Sequence, residues 1–207
     1  MRTGEVFALT WDDIDLENRT IKITKTVYAK DKSKIGRWYI GTTKTEGSCR
    51  EVYICDTLYS ILLNYKDEQN KNRKEYGSKY KNYTIEKLKN RYGKLVDYAI
   101  IESKTKRNRI NMVFTRKDGR YSGTDVIKYP FKIIRNELGI KARFYDLRGS
   151  FATTSLRSGC EIKDIAEILG HRRIETTEKY YISSTEKDKR QVTKSFEKSL
   201  KITYNNI

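Results

Sequence analysis

Proline occurs once in the 207 residues, histidine once and cysteine three times, and no apolar run approaches the length of a membrane span. A chain with so little proline has few obligatory helix breaks. The cysteines, Cys49, Cys55 and Cys160, are odd in number and show no CxxC spacing, so a disulfide framework and a cysteine-rich zinc site are both unexpected. One histidine removes most remaining zinc constellations, and no metal or other cofactor is expected. The N-terminus carries no signal-peptide pattern, which makes the cytoplasm the expected compartment. Acidic residues are also in short supply. Against 44 Lys and Arg stand 27 Asp and Glu, for a net charge of +17 and a pI of about 9.7. Such an excess points to a polyanionic partner, nucleic acid above all. The length fits one domain or a modest two, and 37% hydrophobic residues suffice for a real core.

Along the chain, MRTGEVFALT reads as the start of an amphipathic helix, and Asp12 to Asn18 as a polar turn. Alternating residues from Ile21 to Val27 read as a strand, followed by strands at Arg37–Gly41 and Arg50–Cys55. These three are expected to form one antiparallel sheet. A helix begins near Asp56 with Leu58, Ile61, Leu62 and Tyr65 on one face. From Lys66 to Lys117 the chain is strongly basic, with sixteen Lys and Arg against six Asp and Glu and with interleaved tyrosines. Ile85, Leu88, Leu95 and Val96 suggest helix within it, and 110–115 a short strand. A further helix spans about 124–138, either kinked at Pro130 or starting there. Two more, 146–158 and 161–169, end at Gly159 and Gly170. The result is an α+β, mainly helical chain with a small three-stranded antiparallel sheet.

The most informative run is RFYDLRGSFATTSLRSGCEIKDIAEILGHRRIETTEKYYI, residues 143–182. It sets Arg148 on one helix, the sole histidine, His171, just after the next, and a tyrosine pair, Tyr180 and Tyr181, nine and ten residues later. Breaking a phosphodiester without metal needs charge stabilised on the non-bridging oxygens, an in-line nucleophile and a proton for the leaving oxygen. Arginine serves the first need with a planar, permanently charged fork. Tyrosine serves the second when the bond energy is to be kept in a reversible ester, provided nearby cations or a base activate a phenol of pKa about 10. Lysine or histidine can supply the proton.

This order and spacing resembles the tyrosine recombinases, the phage-integrase family, from Arg2 to about residue 200. The resemblance implies roles residue by residue. MRTGE matches the family's RxxE, making Arg2 a phosphate clamp and Glu5 its orienting acid. GTTKTEGSCREVYI matches the turn that bears the catalytic lysine, making Lys44 the general acid. The family's HxxR reads Tyr145-Asp146-Leu147-Arg148 here, so Arg148 is the second clamp. Tyr145 stands where the histidine is usual; it can donate to phosphate but cannot serve as a neutral-pH base. LGH places His171 against a non-bridging oxygen, and TTxxY selects Tyr180 as nucleophile, with Tyr181 a packing neighbour.

The implied activity is cutting and rejoining of duplex DNA through a 3′-phosphotyrosyl link. The implied partners are double-stranded DNA, further copies of the chain in a tetramer on DNA, and an accessory directionality factor. In the family the first arginine follows a core-binding domain; here it is residue 2, so residues 1–207 look like a catalytic domain without its N-terminal core-binding and arm domains. The tail from 185 to 207, with Val192, Phe196 and Leu200 four apart, suits docking on a neighbouring protomer or on its own domain. Two rival readings are a DNA-binding module without catalysis, which Tyr145 favours, and supercoil relaxation by type IB topoisomerase chemistry, which uses similar residues.

Overall fold

The computed structural model describes residues 1–30, 37–42, 49–103, 105, 108–171 and 175. Among the described residues five α-helices, α1 (Thr3–Phe7), α2 (Asp56–Tyr76), α3 (Lys128–Glu137), α4 (Asp146–Arg157) and α5 (Ile162–Leu169), combine with seven strands. The α+β class expected from the sequence is therefore what the chain adopts, but the sheet differs in make-up. There are two antiparallel sheets among the described residues. One has the order β1-β2-β5 (Ile14–Asp15, Thr20–Ile23, Arg50–Tyr53); the other has β3-β4-β7-β6 (Lys25–Ala29, Trp38–Thr42, Leu95–Glu102, Tyr83–Lys89).

The strand expected from Ile21 to Val27 is divided at Thr24, where the chain leaves one sheet for the other. Ile21, Ile23 and Val27 are all buried, so the alternation of buried positions runs through the break and hides it. β2 pairs with β5, Ile21 opposite Val52, while β3 pairs with β4, Val27 opposite Ile40. The three expected strands exist, but they do not share one sheet.

A second departure lies in the basic stretch. Residues 83–102 form a long antiparallel hairpin, β6 with β7, rather than helix. The apolar positions used for the helical reading, Ile85 and Leu88, are three apart and fit a helix on spacing alone. The aromatic and β-branched run Tyr83-Thr84-Ile85 prefers strand, and pairing with β7 decides it. Within 110–115 the extended residues make isolated bridges, Met112 with Thr10 and Thr115 with Tyr121. α2 continues to Tyr76, and its buried line is Leu58, Leu62, Tyr65 and Gln69; Ile61 faces outward, 56% exposed. Pro130 falls in the first turn of α3, where its missing N–H costs nothing.

Two apolar clusters hold the sheets together. One gathers Phe7, Val27, Ile40, Ile100, Met112 and Tyr121; the other gathers Leu9, Ile21, Ile23, Ile54, Leu62 and Val113. The segment 7–9 contributes to both, which anchors α1. Gly4 permits the contact of α1 with β3, because a Cβ there would lie 2.4 Å from Thr26 Oγ1 and 2.8 Å from the Val27 carbonyl oxygen. A smaller cluster, Ala152, Ile165 and Leu169, joins α4 to α5. Among the described residues no helix is long and apolar enough to cross a membrane.

Candidate active site

The first turn of α1 is locked by the RxxE pair. The Arg2 amide donates to Glu5 Oε2 at 2.7 Å, and Arg2 Nη1 donates to Glu5 Oε1 at 2.8 Å. Glu5 is only 2% exposed, while the Arg2 side chain is 41% exposed. A third group completes the cluster. Arg50, the first residue of β5, donates from Nη2 to Glu5 Oε2 at 2.8 Å and from Nη1 to Oε1 at 3.3 Å. Burial raises the Glu5 pKa, but hydrogen bonds from the Arg50 side chain and the Arg2 amide, the Arg50 charge and the Arg2 side chain together outweigh it and bring it down to about 2. Glu5 is thus a buried anion held between two guanidinium groups.

Arg148 is the third residue of α4 and is 4% exposed. Its Nη2 donates to the Leu169 carbonyl oxygen and lies 2.9 Å from His171 Nε2. A guanidinium only donates, so Nε2 must accept and the imidazole carries its proton on Nδ1. Burial, then the charges of Arg148, Arg2 and Arg50, lower the His171 pKa to about 4, leaving a neutral ring at physiological pH.

His171 owes its place to the end of α5. Gly170 is left-handed, with φ 68° and ψ 45°. Its N–H bonds to Glu167 O at 2.9 Å, and the His171 N–H bonds back to Ala166 O at 2.9 Å. This pair is the Schellman arrangement, which ends the helix and turns the next side chain sharply aside. The glycine of LGH is therefore the residue that aims the histidine toward Arg148.

Two nitrogens of Arg148, Nε and Nη1, are buried with no hydrogen-bond partner among the described residues. Unpaired buried donors are expensive and rare. Beside His171 and Arg50 lies an open cleft of about 760 Å³, of mixed charge, which Lys163, Glu51, Asp164 and Glu167 also line. Arg148 itself lines a separate, mainly apolar cavity with Met1, Leu147, Phe151 and Leu169, and its unmet N–H groups there are suited to an oxyanion.

Of the residues expected at the site, Arg2, Glu5, Arg148 and His171 are brought together. Tyr145 stands at the head of α4 and is 51% exposed. Lys44 and Tyr180, with Tyr181 and the tail 185–207, lie outside the described residues. Sequence reasoning missed Arg50. Its signal was period two: Arg50 and Val52 share the less exposed face of β5, an unusual place for an arginine without a partner.

A chain with two small antiparallel sheets, an RxxE-opened helix and an arginine–histidine pair carried on the last two described helices is built as the tyrosine recombinase catalytic domains are. The Tn1549 transposon integrase in complex with a circular intermediate DNA superposes with a TM-score of 0.64 at 17% identity, covering 95% of this chain and 54% of that one. The XerA recombinase superposes at 0.55 and 19% identity, over 94% of this chain and 53% of that one. The family model "Phage integrase family" matches residues 1–187, and the chain belongs to that family. Similar proteins include an integrase of Staphylococcus phage L54a, 28% identical over 96% of this chain and 48% of that protein. A tyrosine recombinase XerC-like protein of Caldanaerobacter subterraneus subsp. tengcongensis is 25% identical over 91% of this chain and 44% of that protein. The ICEBs1 integrase of Bacillus subtilis is 27% identical over 86% and 40%. The chain spans about half the length of the curated relatives it matches.

Proposed function

We propose that this chain is the catalytic part of a site-specific DNA recombinase, an integrase of a phage or other mobile element, that cuts and rejoins duplex DNA. The observation that carries the reading is the buried Arg148, with two unpaired nitrogens beside a neutral His171. Arg2 and Arg148 hold the two non-bridging oxygens of the scissile phosphate, and His171 donates from Nδ1 to one of them. Tyr180 Oη attacks phosphorus, and its proton leaves to solvent. The P–O5′ bond breaks as Lys44 gives a proton to the 5′-oxygen, leaving a 3′-phosphotyrosyl ester. A 5′-hydroxyl of another strand reverses the sequence. Because the ester keeps the bond energy, no nucleotide is consumed.

Preorganised donors aimed at the developing charge are the dominant catalytic term, and loss of one lowers the rate roughly 100- to 1000-fold. The net charge of +17 supports phosphate-led binding to double-stranded DNA that falls steeply with salt. Exchange between two duplexes calls for four copies on DNA, with the tail 185–207 docking between protomers and an accessory factor setting direction. Tyr145, half-exposed where the family has histidine, favours a second reading, a DNA-binding module without catalysis. A nicked duplex that traps the cut strand separates the two. A denaturant-resistant adduct with the native chain and none with Tyr180→Phe supports the recombinase. No adduct with the native chain, alongside salt-sensitive DNA binding, supports the module.

A further inference from the structure

Arg50 does more than neutralise Glu5. Its side chain is 5% exposed, yet it reaches two segments far apart in sequence. Two of its nitrogens grip Glu5, the acid that also holds Arg2. The third, Nε, donates to the Ile168 carbonyl oxygen at 2.7 Å. That carbonyl precedes Leu169, whose own carbonyl accepts from Arg148, and Gly170, which turns the chain into His171. The contact is close on both sides: a Cβ on Gly170 would lie 2.9 Å from Arg50 Nη1.

We infer that Arg50 is a positioning residue that ties the α1 segment bearing Arg2 to the α5 turn bearing His171, and so sets the spacing of the phosphate clamps. Its planar fork lets one group span both segments at fixed separation. Lysine, a single ammonium on a flexible stem, holds either Glu5 or the Ile168 carbonyl in that geometry, but not both. Arg50 opens β5, and the proposed general acid Lys44 lies six residues before it in sequence. The inference rests on the strand-cutting function proposed above.

The test uses the full chain with Arg50→Met and Arg50→Lys. Duplex binding is expected to stay within about threefold of the native chain, while single-turnover adduct formation on nicked DNA falls about 100-fold for the methionine variant. Lysine recovers part of the loss. A scissile methylphosphonate, in which methyl replaces one non-bridging oxygen, removes the charge that the clamps must stabilise. The deficit should shrink at least about tenfold on that substrate if Arg50 acts by placing the clamps. The imidazole NMR signal of His171, the sole histidine, should move in both variants.

An adduct rate within about threefold of native together with an unmoved imidazole signal overturns the inference. So does a deficit of equal size on both substrates, which marks a merely structural role. If the methionine variant does not fold, the lysine variant decides by the same readings. If the native chain forms no adduct, the proposed function fails first, and the imidazole signal then decides on its own whether Arg50 holds the His171 turn.

Discussion

Replacing Glu5 with glutamine keeps the shape of the buried cluster and removes the carboxylate that Arg2 and Arg50 share. In the native chain the carboxylate has a pKa of about 2 against an ordinary 4.5. The shift corresponds to about 3 kcal/mol of preference for the ionised form in the fold. The sign follows from a depressed acid: the stabilisation is complete above pH 4.5 and is lost as pH falls toward 2. Between pH 6 and pH 3 its loss amounts to about 2 kcal/mol. Glu5→Gln should therefore destabilise the chain by about 3 kcal/mol near neutrality, because it removes the carboxylate that pairs with the buried Arg50 side chain. Urea unfolding of both proteins across that pH range isolates Glu5, since the other carboxylates titrate alike in the two. The stability difference should narrow by about 2 kcal/mol at pH 3. A difference that stays constant with pH would refute the reasoning, and one below about 1 kcal/mol at pH 7 would deny that the buried ion pair matters to the fold.

Other outcomes follow from the same geometry. Gly170→Ala forces an L side chain into φ 68° and against Arg50. It should lose about 1–2 kcal/mol in thermal unfolding and slow adduct formation further than that loss explains. NMR titration of His171 should find a neutral ring protonated on Nδ1 down to about pH 4. As a base with a lowered pKa, it contributes stability that is whole above 6.5 and fades toward 4; an imidazole that charges near 6.5 would contradict the buried placement. Gln69 is 6% exposed, accepts from Trp11 Nε1 at 2.7 Å and donates to Thr115 Oγ1 at 2.7 Å. Gln69→Leu should cost about 2–3 kcal/mol in urea unfolding, and a loss under 0.5 would mean that those groups find other partners.

Much of the site was legible in the residues alone. Helix ends were readable because Gly159 and Gly170 carry positive φ for a local reason, and Gly170 aims His171. RxxE, LGH and the arginine of α4 were readable because their spacing is local, a turn of helix or a single cap. The α+β class and the expectation of a nucleic-acid partner follow from period and charge, both sums over the chain. Tertiary structure decided what those sums cannot contain. The strand from Ile21 to Val27 changes sheet at Thr24 without breaking its alternation, because both sheets bury the same side of it. The hairpin 83–102 is a hairpin because two strands find each other, whereas one taken alone also fits a helix. Arg50 enters the site only when β5 is laid against both α1 and α5, 45 residues from Glu5 and 118 from Ile168 along the chain. Local physics set Arg2, Arg148 and His171 each in its turn or helix, and packing across those distances brought them together.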